Sequence, residues 1–360
     1  MAIQVNPAFL QTPTLLFAYE ELPPNTSFAR DRYFPGARPL STEEVLVEMN
    51  GASQTLAPAV PENSEGVQIG RLGWTARTYR PPFFKPKRVH NASDLKRKGF
   101  GESLGSDLPV EQRQAALIND DMVYLRNILA RREEWMAWQV LQHNGYTLTA
   151  KTEDGGPTQT LTYAFYEGSN DPSTLTIAAA DEWTDTTDWK TIAGHVLTAQ
   201  STLRRRGLPG VDLIVGANVA EVLNHHEGLL KRLDQRNNNT GALDPSIDAS
   251  LLGTVGRINF GAGLVNTFTF DGTYTDEAGV SHSFVDPDTI ILAAPNLGET
   301  AYGLLTWMDD AGVIHEASTD ALPAAYTDKR GKSMELSMES RPLVIPSAPS
   351  PFVHAKVVNI

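Results

Sequence analysis

The run from Pro109 to His143 constrains this chain more than any other stretch, because its apolar residues recur at helical spacing for 35 residues. Leu117/Ile118, Met122, Leu125, Ile128/Leu129, Trp135/Met136 and Val140 fall on one stripe. Asp107 can cap the start, Pro109 suits the first helical position, and Asn144-Gly145 supplies a left-handed stop. At about 1.5 Å per residue such a helix reaches roughly 50 Å, well beyond the usual globular length. Arg126, Arg131, Arg132, Glu133 and Glu134 read as the opposite, charged face. One apolar stripe and one charged face describe a structural rod. Two shorter helices broken near Asn119-Asp120-Asp121 remain the alternative.

The segments around the rod differ in kind. Over the first forty residues Pro7, Pro13, Pro23, Pro24, Pro35 and Pro39 interrupt every candidate element, with Phe9, Leu15, Leu16, Phe17, Phe28 and Phe34 between them. Two readings stand: an arm laid over another surface without regular structure, or a loop-rich start packed on its own domain. From 43 to 84 the pattern is β. Val45, Val47 and Met49 alternate with Leu46 and Glu48, and Trp74, Ala76 and Thr78 alternate with Thr75, Arg77 and Tyr79. An isolated two-stranded excursion is marginal in water, so it is expected to lie on something else. Pro81-Pro82-Phe83-Phe84-Lys85-Pro86-Lys87-Arg88 then returns the chain to the body.

Residues 146 to 178 read as a second hairpin around Gly155-Gly156-Pro157. Asp188 to Arg206 is helical, Val211 to Val215 a short apolar strand, and Ala217 to Asp234 helical again, which predicts a small α/β domain. A β-rich return over 257–306 includes Phe268 to Phe270 and Thr289 to Ala293, flanking a polar tip from Gly272 to Ser283. Met334 to Met338 and Phe352 to Val358 close the chain as strands, joined through Pro342, Pro346, Pro349 and Pro351.

Composition limits the chemistry. The 360 residues hold no cysteine, which removes disulfides, thiolate catalysis and Cys-ligated zinc. No run of eighteen apolar residues suggests a membrane span, and the start lacks a secretory pattern, so folding in a cytoplasm is expected. A net charge of −13 opposes electrostatic DNA binding by the whole chain but suits a wall along which DNA slides. Gly101-Glu102-Ser103-Leu104-Gly105 matches the nucleophile-elbow pattern, yet Lys96-Arg97-Lys98 precedes it where a core strand is needed. His225-His226 are adjacent, so on a helix their rings diverge and do not form a metal pair. Asp309-Asp310 with His315-Glu316 reads as a polar turn between strands. No nucleotide fingerprint occurs, and no cofactor or metal is expected. Lys85, Lys87, Arg88, Lys96, Arg97 and Lys98 form one basic group. It could meet DNA phosphates, acids of a neighbouring subunit, or solvent, and the adjoining Phe83-Phe84 favours a subunit contact.

Several ordered segments carry a resemblance. They are Leu15-Leu16-Phe17 with Arg30-Asp31-Arg32-Tyr33-Phe34, Thr42-Glu43-Glu44-Val45, and the Pro86-Lys87 turn. Later come Val285 to Ala293, Tyr302-Gly303, and the proline-rich joint from Arg341 to Phe352. In that order they resemble the lambda-type (capsid E) major capsid proteins of tailed bacteriophages. The resemblance implies the α+β Hong Kong ninety-seven capsid fold. Its parts would be an N-terminal arm (1–41), an extended β loop (42–85), and a peripheral domain (86–185) with a spine helix (109–143) and a β hairpin. An α/β axial domain (186–325) and return strands to the peripheral domain (326–360) would complete it.

The resemblance further implies a non-enzymatic shell protein of the virion, assembled in the bacterial cytoplasm. It would form hexamers and pentamers of an icosahedral head around double-stranded DNA. Portal, scaffold and decoration proteins would be its other partners. Some relatives with this fold cross-link lysine to asparagine, but no such pair aligns here. Trp74 and Tyr79 on the loop, with Phe83, Phe84, Lys85, Lys87 and Arg88 at its base, are the expected subunit contacts. The rival readings are an encapsulin-like compartment holding a cargo enzyme and a serine hydrolase using Ser103.

Overall fold

The structure is a computed structural model. It describes residues 12–20, 22, 27–50, 74–91, 110–150, 159–166, 168, 170–233, 241–242, 252–261, 263–308, 312–327, 333–348 and 350–359. Six α-helices are labelled here: α1 (Thr12–Glu20), α2 (Phe28–Tyr33), α3 (Val110–His143), α4 (Trp189–Arg205), α5 (Ala217–His225) and α6 (Glu227–Leu233).

Helix α3 is the expected rod, 34 residues without a break. The alternative of two helices parted near Asn119-Asp120-Asp121 fails for a physical reason. Asp121 does not cap a new helix. It is 2% exposed and accepts from Arg88 Nη1 at 2.7 Å, with His90 Nε2 on its other oxygen. The helix stops as predicted, at Asn144 with φ +50°. Gly145 follows because any Cβ there would lie 2.2 Å from the Tyr163 carbonyl oxygen.

Two expectations about the rod and the start of the chain need correction. Glu133 and Glu134 are not on a solvated face; each is 5% exposed. The start of the chain also holds regular structure, α1 and α2, despite its prolines. Pro13 is the second residue of α1, in the first turn, where a missing N–H breaks no helical bond. Leu15 and Tyr19, one turn apart, pack with Ile118, Met122, Leu125 and Leu129 of α3. Burying each such side chain stabilises by about 1.5–3 kcal/mol. The described part of this segment therefore packs on its own chain.

Three sheets surround the rod. Leu322–Thr327, Ser333–Glu339 and Lys87–Asn91 form an antiparallel sheet whose Met334, Leu336 and Met338 join the α1–α3 core. Ala37–Pro39 runs parallel to Gly298–Tyr302, which pairs antiparallel with Pro342–Pro346. The third sheet has six strands in the order Val353–Lys356, Thr289–Ala293, Asp212–Val215, Leu264–Phe270, Leu252–Asn259, Gly241–Ala242. Asp212–Val215 pairs in parallel with Leu264–Phe270, and all four of its residues are buried. Ile192, Val196 and Leu203 of α4 and Val219 and Leu223 of α5 pack in the same core. The expected single helix from Ala217 is two helices. His226 turns between them, its Nε2 2.6 Å from the Thr187 carbonyl and its Nδ1 accepting the Leu229 amide hydrogen at 3.3 Å.

The last forty residues divide between sheets. Ser333–Glu339 joins the sheet beside α3, whereas Val353–Lys356 pairs with Thr289–Ala293 at the edge of the six-stranded sheet. The expected boundary at 326 falls within the hairpin of Leu322–Thr327 and Ser333–Glu339. A common core of α2, the end of α3, Ile214, Phe270, Ile291, Leu343 and Phe352 ties the sheets together.

Candidate functional site

The excursion predicted at 43–84 begins as an antiparallel ribbon. Val45–Asn50 pairs with Trp74–Tyr79 in the register Val45↔Tyr79, Val47↔Arg77 and Asn50↔Trp74. Its faces follow the alternation: Val45 and Val47 are buried and Leu46 is exposed. Residues 51–73 lie outside the described set. The root of the ribbon is anchored to the hairpin of Gly145–Ala150 and Gln159–Ala164. Tyr79 Oη donates to the Ala164 carbonyl at 2.7 Å, and Tyr163 Oη donates to the Arg80 carbonyl at 2.7 Å. Arg77 Nη1 donates to the Tyr166 carbonyl at 3.0 Å, and the Tyr79 ring lies 5.3 Å from that of Phe165.

The expected contact residues therefore separate. Tyr79 is engaged inside its own chain. Trp74 stands opposite Asn50 at the far end of the paired strands, and its side chain is outside the described set. Phe84 is half-buried, and its backbone exchanges bonds with Ser340 at 2.9 and 3.0 Å. Phe83 is 48% exposed, with the Arg341 guanidinium 5.3 Å from its ring.

The basic group is not an open patch in its described part. Lys85 Nζ meets Glu339 at 2.7 Å, Lys87 Nζ meets Glu335 at 3.7 Å, and Arg88 meets Asp121 at 2.7 Å while lying 3.7 Å over the Tyr124 ring. Burial alone would lower the Lys85 pKa, but the hydrogen bond and charge of Glu339 raise it. The Asp121 hydrogen bond likewise raises that of Arg88. Lys96, Arg97 and Lys98 fall outside the described residues.

Sequence reading missed the buried ionic joint at α2. Glu134 accepts the amide hydrogens of Ala29 and Arg30 at 2.9 and 3.0 Å, satisfying two of the open donors at that helix start. Arg30 donates to Glu133 at 2.7 Å, where Tyr302 Oη also donates at 3.1 Å. Arg32 meets Asp212 at 2.6 Å, and Asn266 Nδ2 donates to the other Asp212 oxygen at 3.1 Å. Burial raises the pKa of Glu133 against the pull of Arg30, and that of Glu134 against its two backbone donors. The available signal was Arg30-Asp31-Arg32: arginines two apart on a helix point about 200° away from each other, toward different neighbours.

Catalytic geometry finds little support. Ser103 lies outside the described residues. Asp171, Ser173 and His354 do meet, but Ser173 is fully buried and its Oγ donates to the Asp171 carboxylate at 2.7 Å. His354 Nδ1 is 3.2 Å from Ser173 Oγ and its Nε2 is 2.9 Å from Thr174 Oγ1, so both ring nitrogens are engaged. This is a closed joint between the segment after the second hairpin and the final strand. Among the described residues no group of His, Asp and Glu could hold a metal, and no helix is long and apolar enough to cross a membrane.

Comparison with known proteins agrees along nearly the whole chain. The family described as phage major capsid protein E matches residues 11–357. The P21 prophage-derived major head protein of Escherichia coli O6:H1 (strain CFT073) is 23% identical over 329 residues, covering 88% of this chain and 90% of the relative. The major capsid protein of Enterobacteria phage P21 matches with the same identity and coverage. Among solved structures, the putative capsid protein of an E. coli CFT073 prophage superposes with a TM-score of 0.64 at 18% identity, over 99% of this chain and 100% of that one. A phage-related protein from Bordetella bronchiseptica gives 0.52 at 12% identity, over 96% of each. The structural likenesses speak to the fold.

Proposed function

The chain belongs to the phage major capsid protein E family, and we propose that it builds the icosahedral head of a tailed phage as hexamers and pentamers of itself around double-stranded DNA. It is a structural protein of the phage head shell, not an enzyme. The observation that carries the finer reading is the family match over 11–357, which takes in arm, ribbon, rod and sheets alike. The net charge of −13 supports an inner wall that does not grip phosphate.

In this reading residues 1–41 are the N-terminal arm and 42–85 the extended loop. Residues 86–185 form the peripheral domain with α3 as its spine, 186–325 the axial domain, and 326–360 the return strands. Each loop reaches from its anchored root over a neighbouring copy and buries surface that a lone subunit leaves wet. Closed symmetry then repeats one set of contacts many times. Trp74, opposite Asn50 at the far end of the paired strands, and Phe83, 48% exposed, are the contacts we favour, while Tyr79, Lys85, Lys87 and Arg88 are hydrogen-bonded or ion-paired in their own chain. Assembly takes place in the bacterial cytoplasm, with portal, scaffold and decoration proteins as further partners.

Electron microscopy of the purified full chain tests this, with Trp74→Ser/Phe83→Ser beside it. Closed shells from the native chain and few from the variant are expected. A native chain that stays monomeric at high concentration would overturn the shell reading. Normal shells from the variant would remove the loop from the interface. Shells that copurify with a folded enzyme and no nucleic acid would support the compartment instead.

A further inference from the structure

Helices α1, α2 and α3 and the strand Gly298–Tyr302 line a cavity of about 260 Å³. At roughly 30 Å³ per molecule it has room for several waters or one small solute. Its rim is open, since Asp31, Gly36 and Ala37 are exposed. Gly36 has φ +97° and nothing within 4 Å of the place a Cβ would take. Its floor is closed: Phe34, Glu133 and Tyr302 are all buried.

The polar groups of this wall have spent their protons on one another. Tyr302 Oη donates to Glu133 at 3.1 Å, and Tyr19 Oη donates to Asp320 at 2.9 Å. A phenol has one proton, so both hydroxyls have only lone pairs left to offer. Arg30 donates to Glu133 at 2.7 Å and to Asp31 at 2.8 Å. Arg126 donates to the Leu22 carbonyl at 2.9 Å, its guanidinium 4.6 Å from the Tyr19 ring. Both bonds on Glu133 fall on Oε2, and among the described residues no group donates to Oε1. A carboxylate only 5% exposed thus has one oxygen without a partner. The lining sets three acids, Asp31, Glu133 and Asp320, against two arginines, Arg30 and Arg126, an excess of one negative charge.

We infer that this cavity is a binding site for a guanidinium group. What the wall has left is acceptors and negative charge, so the ligand brings N–H donors and positive charge. Guanidinium carries its donors in one plane and gives up water more readily than an ammonium. Its edge would meet Glu133 Oε1 and the phenol oxygens, while its faces rest against Phe34 and Leu129, which also line the cavity. The added charge would offset the cost of burying Glu133, whose arginine is shared with Asp31. Two sources carry this chemistry: a small guanidine free in solution, or an arginine side chain of a second copy reaching in through the rim. The site goes beyond the shell reading and does not depend on it.

Calorimetric titration of the unassembled full chain with methylguanidinium chloride, at constant ionic strength, tests the site. Saturable binding of one equivalent is expected. It should be roughly tenfold tighter than that of N-methylurea, a neutral solute of similar shape, which is the worth of one charge-assisted hydrogen bond. Glu133→Gln/Asp320→Asn keeps the side-chain shapes and removes two charges, and should weaken binding at least about tenfold. Should that variant fail to fold, Asp320→Asn alone should still weaken it severalfold. No saturation, methylurea bound as tightly as methylguanidinium, or native affinity in a folded variant overturns the site and leaves a cavity for water. The same titration on assembled shells separates the sources. Binding lost on assembly assigns the site to an arginine of a second copy, and binding retained assigns it to a free solute.

Discussion

The hydroxyl of Tyr79 donates to the carbonyl of Ala164 at 2.7 Å, across 85 positions of sequence. This bond fixes where the extended ribbon leaves the body, and so which way it can reach. Tyr79→Phe keeps the ring against Phe165 and removes only the donor, leaving the Ala164 carbonyl with the longer Arg77 Nη1 contact at 3.4 Å. The expected loss is about 1 kcal/mol of local stability. It should be read as faster amide exchange over 159–166 and earlier proteolysis of the ribbon, with the melting of the rest nearly unchanged.

Glu134 acts as the acceptor for the start of α2 although it lies 105 positions from Ala29. Glu134→Ala removes both bonds and leaves two buried donors, so a loss of about 2 kcal/mol is expected, at the upper end for caps. Glu134→Gln keeps one acceptor oxygen and should lose about half as much. Calorimetry on the full chain checks the order: native above Gln, Gln above Ala. Equal melting of native and Ala proteins would mean that α2 does not need the cap.

The rod and the ribbon were legible because each writes its period into the sequence, 3.6 for α3 and 2 for Val45–Asn50 and Trp74–Tyr79. The buried side of α3 was legible only in its apolar half. Arg131-Arg132-Glu133-Glu134 looks like a solvated face, and only the arrival of α2, a hundred positions away, turns the two glutamates inward. Proline was overread at Pro13, since its rule forbids helix interiors and not first turns. The roles of Lys85 and Arg88 were hidden for a similar reason: their acids, Glu339 and Asp121, are distant in sequence. Pairing of charges depends on tertiary approach and carries no period.

Acid should weaken the joint at His354. Burial lowers its pKa to about 4, with Asp171 opposing and His143 assisting. An unfolded histidine binds its proton near pH 6.5, whereas the folded one stays neutral until about 4. The unfolded state thus holds more protons between those values, and stability falls as pH drops through that window and levels off below it. The loss is at most on the order of 3 kcal/mol. Urea unfolding at pH 7 and pH 5 should show it, and His354→Gln, which cannot titrate, should flatten the difference. A native protein with equal midpoints at both pH values would refute this account of the joint.

Phe83 and Phe84 are neighbours with opposite predicted behaviour, and the difference decides how the loop contact can be tested. Phe84 is half-buried and packs against two core clusters, with Arg132 5.5 Å from its ring. Phe84→Ser should therefore cost about 2 kcal/mol by removing a large half-buried side chain that packs on the core, so a failure to assemble would say nothing about neighbours. Phe83 is 48% exposed, and Phe83→Ser should leave the unfolding midpoint of the lone chain within about 0.5 kcal/mol of native. If the loop base meets another copy, this mild variant should still lower the yield of closed shells or raise the concentration at which they form. Light scattering against protein concentration, run beside urea unfolding of the unassembled chain, separates the effects. Native assembly by Phe83→Ser would place the contact elsewhere on the loop, whereas an assembly defect at unchanged stability assigns it to this ring.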